Sequence, residues 1–248
     1  MAQDKPKTVI AFDLYGTLLS TESIAKELAD LYGDKDEAKD LAAQWRRYQL
    51  EYTWRINSMG IYRPYSDITR AALKHAVAEK KKPPLSKEDE DRLMEAYNGL
   101  QAFPDIEAAM RIVEGDKSID AYVFSNGTDD MVGASVRTCP EIDTRNSIIF
   151  GPEKLVTVEG ARCFKPAPET YRYFAERAHM TGREGDIWLV SSNPFDALGA
   201  RAAGWQSAWI DRTRTGWIDA LGGVIDTEPT IVARGVDEAL ERIANLSR

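Results

Sequence analysis

Asp13 directly follows a short apolar segment, residues 8–12, and precedes Gly16 and Thr17. A carboxylate can act as a nucleophile that divides one displacement into two easier steps through an ester intermediate. The turn that Gly16 and Thr17 indicate brings backbone N–H groups to where they can position such a carboxylate. An aspartate that only caps a turn is the alternative, because aspartate is common in turns. The local sequence of Asp13 leaves both interpretations open.

Further polar residues follow later apolar segments and are candidates for the same site. Ser125 and Asn126 can donate hydrogen bonds to an anion, and Lys165 supplies a cation. Asp196 can act as a second carboxylate or orient Lys165. Each of these residues alone is more typical of a cap or a surface position. Their order, with one polar set after each strand candidate, is what an alternating fold brings to one pocket.

Histidine and cysteine chemistry has little support in this chain. His75 and His179, the two histidines, each lie in a helix-like stretch beside charged residues, which is typical of surface or packing positions. Ser-His-Asp and Cys-His catalysis therefore lack an obvious base. Cys139 and Cys163 are too few for a disulfide framework and match no metal-site spacing, so we interpret them as buried free thiols.

The elements that must position these residues are strands of a parallel sheet. Four segments are short and apolar and end at polar residues: 8–12, 121–124, 187–190 and 207–210. Continuous apolar runs are typical of parallel sheets, whose ligands lie at the carboxyl ends of the strands. Helical patterns alternate with these strands, at residues 106–114, 168–180 and 196–203. The alternation predicts an α/β fold with a doubly wound parallel sheet.

Residues 20–103 depart from this alternation. They are polar and helix-prone, rich in Ala, Glu, Lys, Leu and Arg, and contain no strand candidate of comparable strength. Breaks between helices are predicted at residues 33–34, 60–64 and 82–84. We interpret residues 20–103 as a helical cap subdomain, inserted after the first strand of a core that residues 1–19 and 104–248 form.

The composition limits the classes of partner. The 248 residues carry a formal net charge of −8, with 43% hydrophobic and 29% charged residues. This is ordinary for a soluble globular protein, and the negative charge argues against a nucleic-acid partner. The N-terminal segment has no apolar signal region, and no apolar run approaches the ~20 residues of a membrane helix. We therefore expect a cytoplasmic enzyme with no membrane partner.

Four sequence elements carry a resemblance to a known family. They are Asp13 in DLYGTL, Ser125 in SNG, Lys165 in FKP, and Asp196 at the end of SSNPFD. In these elements the chain resembles the haloacid dehalogenase superfamily, and specifically its L-2-haloacid dehalogenase branch. Residues 45–62 also resemble the arginine-bearing cap helix of that branch and the segment after it. The resemblance extends over essentially the whole chain and implies a Rossmann-like core with a helical cap.

Tyr15 stands at the position that separates this branch from most of the superfamily. Most members are magnesium-dependent phosphatases with an aspartate there, which serves as general acid and base. This chain has a phenol instead, and a hard Mg²⁺ ion requires several oxygen ligands. Lys165 close to two carboxylates would also compete with a metal. The resemblance therefore implies no metal and no cofactor, with a superfamily phosphatase or phosphonatase-like enzyme and a non-catalytic binding protein as alternatives.

The resemblance implies hydrolysis of short S-2-haloalkanoic acids to R-2-hydroxy acids and halide. Asp13 would attack C2 in line with the carbon–halogen bond and form an ester, whose carbonyl carbon water then attacks. Arg46 is the implied halide partner and Arg47 its rival, because helical neighbours point ~100° apart and only one should face the pocket. Lys165 either keeps Asp13 ionised or holds the substrate carboxylate. Asp196 is the implied group around the hydrolytic water.

The catalytic residues that the resemblance implies are Asp13, Thr17, Arg46, Ser125, Lys165, Tyr171, Ser191, Asn193 and Asp196. The substrate contacts that it implies are Leu14, Tyr15, Arg47, Leu50, Tyr65, Asn126 and Phe195. Core packing is the alternative role for Leu50 and Tyr65. The chain departs from the branch at three positions, with Phe195 for tryptophan, Tyr65 for phenylalanine and Arg47 for glutamine. These departures leave substrate size and halide preference open. A homodimer is also left open, with a candidate face on the cap at Trp45, Tyr48, Tyr52 and Trp54.

Overall fold

The computed structural model describes residues 7–142 and 149–246. Within these residues the strands are β1 (Thr8–Phe12), β2 (Ile119–Ser125), β3 (Leu155–Thr157), β4 (Ile187–Ser191), β5 (Gln206–Ile210) and β6 (Ile231–Ala233). The α-helices are α1 (Ser23–Tyr32), α2 (Lys35–Ser58), α3 (Tyr65–Glu79), α4 (Lys87–Ala96), α5 (Ile106–Gly115), α6 (Asp129–Thr138), α7 (Pro168–Arg177), α8 (Pro194–Ala202), α9 (Leu221–Val224) and α10 (Val236–Leu246). The strands form one sheet in the order β3-β2-β1-β4-β5-β6, and every pairing is parallel.

Strand β1 lies in the centre of this sheet. Its residues Val9, Ile10, Ala11 and Phe12 are all buried. Because successive side chains of a strand point to opposite faces, both faces of the sheet must be covered there, which explains a continuous apolar run in place of alternation. Phe12 is paired with Val123 of β2 on one side and Val190 of β4 on the other. The end of β1 therefore adjoins the ends of both neighbouring strands.

The strand order reverses between β1 and β4, since β2 and β3 extend to one side and β4, β5 and β6 to the other. In open α/β sheets, ligands bind at such a switch point, beyond the carboxyl ends of the strands. Asp13 directly follows β1, and Ser191 is the last residue of β4. The topology thus brings the candidate residues of both segments to one crevice.

The predicted fold class, an α/β doubly wound parallel sheet, is confirmed, and the four predicted strands are β1, β2, β4 and β5. Strands β3 and β6 were not predicted. Each has three residues and lies at an edge of the sheet, so it is too short to carry a hydrophobic period. Helix α7 ends at Arg177 and not at residue 180, because the chain leaves the helix and His179 takes a left-handed conformation, with φ of 56°.

Helices α1 to α4 all lie between β1 and β2 in the chain. Gly33 ends α1 with φ of 82°, and Asp34 caps α2 by accepting hydrogen bonds from the N–H groups of residues 36 and 37. A buried hydrogen bond links α2 to α3, since the Trp45 indole donates to the Thr69 carbonyl at 2.8 Å. These helices occupy the segment predicted as the cap, whose boundaries at residues 20 and 103 stay a prediction.

The aromatic face predicted for a homodimer needs a correction. Trp45 and Tyr48 are buried within the helices, because they pack between α2 and its neighbours, whereas 39% of Trp54 is exposed. Trp45 and Tyr48 therefore cannot form the outer face of an interface, and the homodimer itself stays a prediction. Both cysteines are free thiols, but only Cys139 is buried, since Cys163 is partly exposed. Among the described residues, no helix is both long and apolar enough to cross a membrane.

Candidate active site

Asp13 is held by the turn that follows the central strand. Its N–H donates to the Val190 carbonyl at 3.0 Å, so the backbone continues the sheet by one residue. The Leu14 carbonyl then accepts N–H groups from residues 17, 18 and 19, which closes the turn. Gly16 has φ of 88°, a conformation that favours glycine. The turn presents the Asp13 carboxylate, which is 6% exposed, to the crevice.

The two oxygens of the Asp13 carboxylate have different surroundings. Oδ2 accepts a hydrogen bond from Thr17 Oγ1 at 2.7 Å and another from Asn193 Nδ2 at 2.8 Å. The Ser191 hydroxyl also points at Oδ2, but from 3.5 Å. Oδ1 accepts from Lys165 Nζ at 3.0 Å. Because Oδ1 makes fewer hydrogen bonds than Oδ2, it is the oxygen with lone pairs left for attack on a substrate.

Lys165 lies between two carboxylates in the floor of the crevice and is 1% exposed. Its ammonium donates to Asp13 Oδ1, to Asp196 Oδ2 at 2.6 Å and to the Phe124 carbonyl at 3.0 Å. Burial opposes the charged form, but the two carboxylates outweigh it and hold the pKa of Lys165 above its usual value. All three ammonium protons are thereby used within the protein, and the lysine stays charged.

Asp196, in the first turn of α8, is fully buried. Its Oδ1 accepts from the Tyr171 hydroxyl at 2.8 Å and its Oδ2 from Lys165. Burial raises the pKa of Asp196, the Lys165 charge opposes that rise, and the Asp13 charge adds to it. The net result is a carboxyl that holds a proton more readily than an ordinary aspartate. Such a group is suited to accept a proton from water at neutral pH.

Arg46 and Arg47 lie on different faces of α2. Arg46 Nη1 donates to the Tyr65 hydroxyl at 2.8 Å and Nη2 to the Tyr15 carbonyl at 3.3 Å, so its guanidinium reaches the turn after Asp13. Arg47 is exposed and lines a depression on another side of the helix with Glu51 and Glu79. The predicted substrate contact of Arg47 is therefore wrong, because adjacent helical residues point ~100° apart.

Aromatic rings form the wall of the crevice beside Arg46. The ring of Tyr15 is stacked on that of Tyr65, with centroids 6.4 Å apart, and the ring of Phe164 is tilted against that of Tyr65, with centroids 6.0 Å apart. Burial raises the pKa of both Tyr15 and Tyr65, so these phenols stay neutral. Phe195, at the start of α8, contacts Trp54 edge-to-face at 5.4 Å. Leu50 is half-buried one turn past Arg46 on the same face of α2.

Ser125 and Asn126 shape the turn after β2, and within the described residues neither forms a hydrogen bond with Asp13. Ser125 Oγ accepts the Gly127 N–H at 3.1 Å, and Asn126 Oδ1 accepts the Lys165 N–H at 2.9 Å. A Cβ at Gly127 would lie 2.9 Å from the Tyr15 ring, which explains why glycine follows Asn126. Through these contacts Asn126 positions the backbone of Lys165, while its Nδ2 donates to no partner in the part of the chain that the structure describes.

Two residues that support the site were missed by the sequence analysis. Asn57, in the last turn of α2, pairs with Phe164 through both backbone groups: Nδ2 donates to the carbonyl at 2.7 Å, and Oδ1 accepts the N–H at 3.0 Å. Arg212 donates to the Thr17 carbonyl at 2.8 Å and to Ser192 Oγ at 3.1 Å. Asn57 is 107 positions from Phe164 and Arg212 is 195 positions from Thr17, so no local pattern could reveal these contacts.

The donor set does not fit a magnesium ion. Within residues 7–142 and 149–246, no group of three or more His, Cys, Asp or Glu side chains is placed to hold a metal. The Lys165 ammonium lies 3.0 Å and 2.6 Å from the oxygens of Asp13 and Asp196, where a cation would bind. Tyr15, a neutral phenol, stands two residues after Asp13. A Mg²⁺ ion favours several carboxylate or carbonyl oxygens, and it would be repelled by the ammonium.

Comparisons with known proteins agree with this arrangement. A family model described as haloacid dehalogenase-like hydrolase matches residues 7–204. A haloacetate dehalogenase of Moraxella sp. (strain B) is 35% identical over 82% of this chain and 85% of that protein. An (S)-2-haloacid dehalogenase of Pseudomonas putida is 30% identical over 95% of this chain and 96% of that protein. A crystal structure of an L-2-haloacid dehalogenase, 27% identical, has a TM-score of 0.82 over 97% of this chain and 100% of that chain.

Proposed function

The chain belongs to the haloacid dehalogenase-like hydrolases, in the branch of the (S)-2-haloacid dehalogenases, and we propose that it hydrolyses short S-2-haloalkanoic acids to R-2-hydroxy acids and halide. The observation that carries the proposal is the pairing of a buried carboxylate with a buried cation. Asp13 Oδ1 is held 3.0 Å from Lys165 Nζ in a crevice that Arg46 and aromatic rings border. The reaction needs no metal, because Lys165 supplies the cation that stabilises the nucleophile.

In the first step Asp13 Oδ1 attacks C2 of the substrate. A carbon–oxygen bond forms, the carbon–halogen bond breaks, and the halide leaves with the bonding electron pair. Attack from the face opposite the halogen inverts the configuration at C2. Arg46 is always charged and retains N–H groups that can stabilise the departing halide. The rings of Tyr15 and Tyr65 keep water away, so the carboxylate attacks with little hydration.

The substrate carboxylate needs donors, and Lys165 has none left. Its three ammonium protons are donated to Asp13, Asp196 and the Phe124 carbonyl. Asn126 can take this role, because its Oδ1 holds the Lys165 N–H and its Nδ2 donates to no partner within residues 7–142 and 149–246. We therefore assign the substrate carboxylate to Asn126 Nδ2 and to the N–H groups of the turn around it, and not to the lysine.

In the second step water attacks the carbonyl carbon of the Asp13 ester. Asp196 takes up the proton of the water, and Thr17 and Asn193 hold the ester oxygen that derives from Oδ2. The bond between that carbonyl carbon and the substrate oxygen then breaks, the proton held by Asp196 passes to that oxygen, and the 2-hydroxy acid leaves with an oxygen from Asp13. The water oxygen remains in the carboxylate. One proton is released for each halide.

Replacing Asp196 by asparagine is expected to slow the second step more than the first. Asparagine preserves the shape and the contact with Tyr171 but cannot accept a proton, and a catalytic base contributes about 10²–10⁴-fold. A burst of halide followed by slow turnover is therefore expected, with an ester on the protein that intact-mass spectrometry detects. The double variant Asp13→Asn/Asp196→Asn is the control, since it should carry no ester. Equal slowing of burst and turnover would contradict the role of Asp196.

Chloride release from S-2-chloropropionate in the presence of a chelator tests the function itself. We expect chloride and R-lactate, and no reaction with the R enantiomer, because in-line attack requires one face of C2. The alternative is a superfamily phosphatase or phosphonatase-like enzyme. Absence of chloride, together with magnesium-dependent hydrolysis of phosphate esters, would overturn the proposal. The cap boundaries, the homodimer and a cytoplasmic location stay predictions.

A further inference from the structure

The hydroxyl of Tyr65 accepts one hydrogen bond, and its own proton is not donated to any of the described residues. Tyr65 begins α3 and is 1% exposed. Its oxygen accepts a hydrogen bond from Arg46 Nη1 at 2.8 Å. The direction of this bond is certain, because a guanidinium has donors and no acceptor. The phenol proton must therefore point away from Arg46.

This proton has no acceptor among the residues that the structure describes. Within residues 7–142 and 149–246, the Tyr65 hydroxyl makes no hydrogen bond other than the one from Arg46. Two other buried phenols near the site differ. Tyr97 donates to Gln49 Oε1 at 3.0 Å, and Tyr171 donates to Asp196 Oδ1 at 2.8 Å. A buried donor without a partner is costly, and one beside a catalytic arginine is a candidate for binding a ligand.

We propose that Tyr65 donates this hydrogen bond to the departing halide, next to Arg46, and that the enzyme consequently releases fluoride from 2-fluoro acids. The inference rests on the proposed function, since it concerns the leaving group of that reaction. Two donors from different side chains then converge on the halide. Fluoride is the smallest halide, concentrates its charge most, and accepts the strongest hydrogen bonds, so its departure depends most on such donors.

The charges and protons balance without a further reactant. Asp13 Oδ1 forms the bond to C2, and the electron pair of the carbon–fluorine bond passes to fluoride. Arg46 and Tyr65 keep their protons and donate hydrogen bonds only. Burial raises the pKa of Tyr65, so its O–H group is present throughout the working pH range. Fluoride then leaves as the anion.

The experiment compares S-2-fluoropropionate with S-2-chloropropionate in the unaltered enzyme and in Tyr65→Phe. Phenylalanine keeps the ring that stacks on Tyr15 and packs against Phe164 but removes the donor. For Tyr65→Phe we expect kcat/KM to fall about 10²-fold with the fluoro acid, the usual effect of losing one such donor, and only a few-fold with the chloro acid. The matched control is Tyr97→Phe, which also removes a buried hydroxyl next to Tyr15 and should affect both substrates alike.

The outcomes separate the two proposals. Release of both halides by the unaltered enzyme, with selective loss of fluoride release in Tyr65→Phe, supports the inference. Chloride release without fluoride release, or an equal loss of both in Tyr65→Phe, overturns the inference and leaves the proposed function standing. Failure of the unaltered enzyme to release chloride overturns the proposed function instead. Retained chloride release by Tyr65→Phe also reports that this variant is folded.

Discussion

Asp13→Asn is expected to lower kcat for halide release by at least about 10⁴-fold, the scale of loss that follows removal of a covalent nucleophile. An asparagine has nearly the shape of the aspartate, but its single oxygen can accept from Lys165 or from Thr17 and not from both, because these two residues donate to different oxygens of Asp13. It lacks the negative charge that attack on C2 requires. Lys165 keeps Asp196 as a counterion at 2.6 Å, so the variant should fold. The measurements are chloride release and the thermal unfolding midpoint.

Asp211→Asn is the matched control for this variant. Asp211 follows β5 as Asp13 follows β1, and each is 6% exposed. Its carboxylate accepts the N–H groups of Thr215 at 3.1 Å and Gly216 at 2.7 Å, so its role is to cap a turn. We expect Asp211→Asn to lower the unfolding midpoint and leave kcat within a few-fold. Full activity of Asp13→Asn would refute the nucleophile assignment.

Asp13 and Asp211 also show the limit of what the local sequence can predict. Both follow an apolar segment and precede a turn, so their local patterns do not separate a nucleophile from a cap. The difference comes from distant residues: Lys165 is 152 positions and Asn193 180 positions from Asp13. The parallel order of the strands could be predicted, because continuous apolar runs indicate it. The parallel strand order predicted that the polar residues after the strands lie at one edge of the sheet. The hydrogen bonds in the structure then separated the role of Asp13 from that of Asp211.

Contacts that depend on side-chain direction or tertiary packing could not be predicted. Residue type and spacing alone do not separate Arg46 from Arg47; the resemblance favoured Arg46, and the rotation of α2 brings its guanidinium to the Tyr15 carbonyl. The edge strands β3 and β6 have three residues each, which is less than any periodic signal needs. Asn57 forms hydrogen bonds with the backbone of Phe164. Because a residue of almost any type can offer these backbone groups, the sequence does not indicate the partner. Sequence motifs indicated the candidate reacting groups and missed Asn57 and Arg212, which contact the residues beside them.

Lys165→Met is expected to be the most destabilising of these variants. It leaves the carboxylates of Asp13 and Asp196 buried without a cation, and removal of one partner from a buried pair costs about 3–5 kcal/mol. Methionine fills a similar volume, so the loss should reflect charge and not a cavity. Urea unfolding at neutral pH measures the free energy of unfolding. A loss below about 1 kcal/mol, as for a surface ion pair, would contradict the buried pairing.

The pH dependence of this loss has a definite sign. Burial already raises the pKa of Asp196 in the native enzyme, and Lys165 opposes that rise. Without Lys165 the pKa of Asp196 should rise further above its value in the unfolded chain. A folded state that binds the proton more tightly gains stability as pH falls. The deficit of Lys165→Met should therefore shrink between about pH 7 and pH 5, and a deficit that grows over this range would contradict the assignment.

The double variant Lys165→Met/Asp196→Asn separates stability from catalysis. Removal of the charges of Lys165 and Asp196 leaves Asp13 as the one buried carboxylate of the cluster that Asp13, Lys165 and Asp196 form. The double variant should therefore regain part of the stability that Lys165→Met loses. Residues in direct contact commonly show interaction free energies of about 0.5–3 kcal/mol in such a cycle. Halide release should not return, because Asp13 still lacks its cation and the ester still lacks its base. Recovery of activity together with stability would mean that Lys165 serves the fold alone.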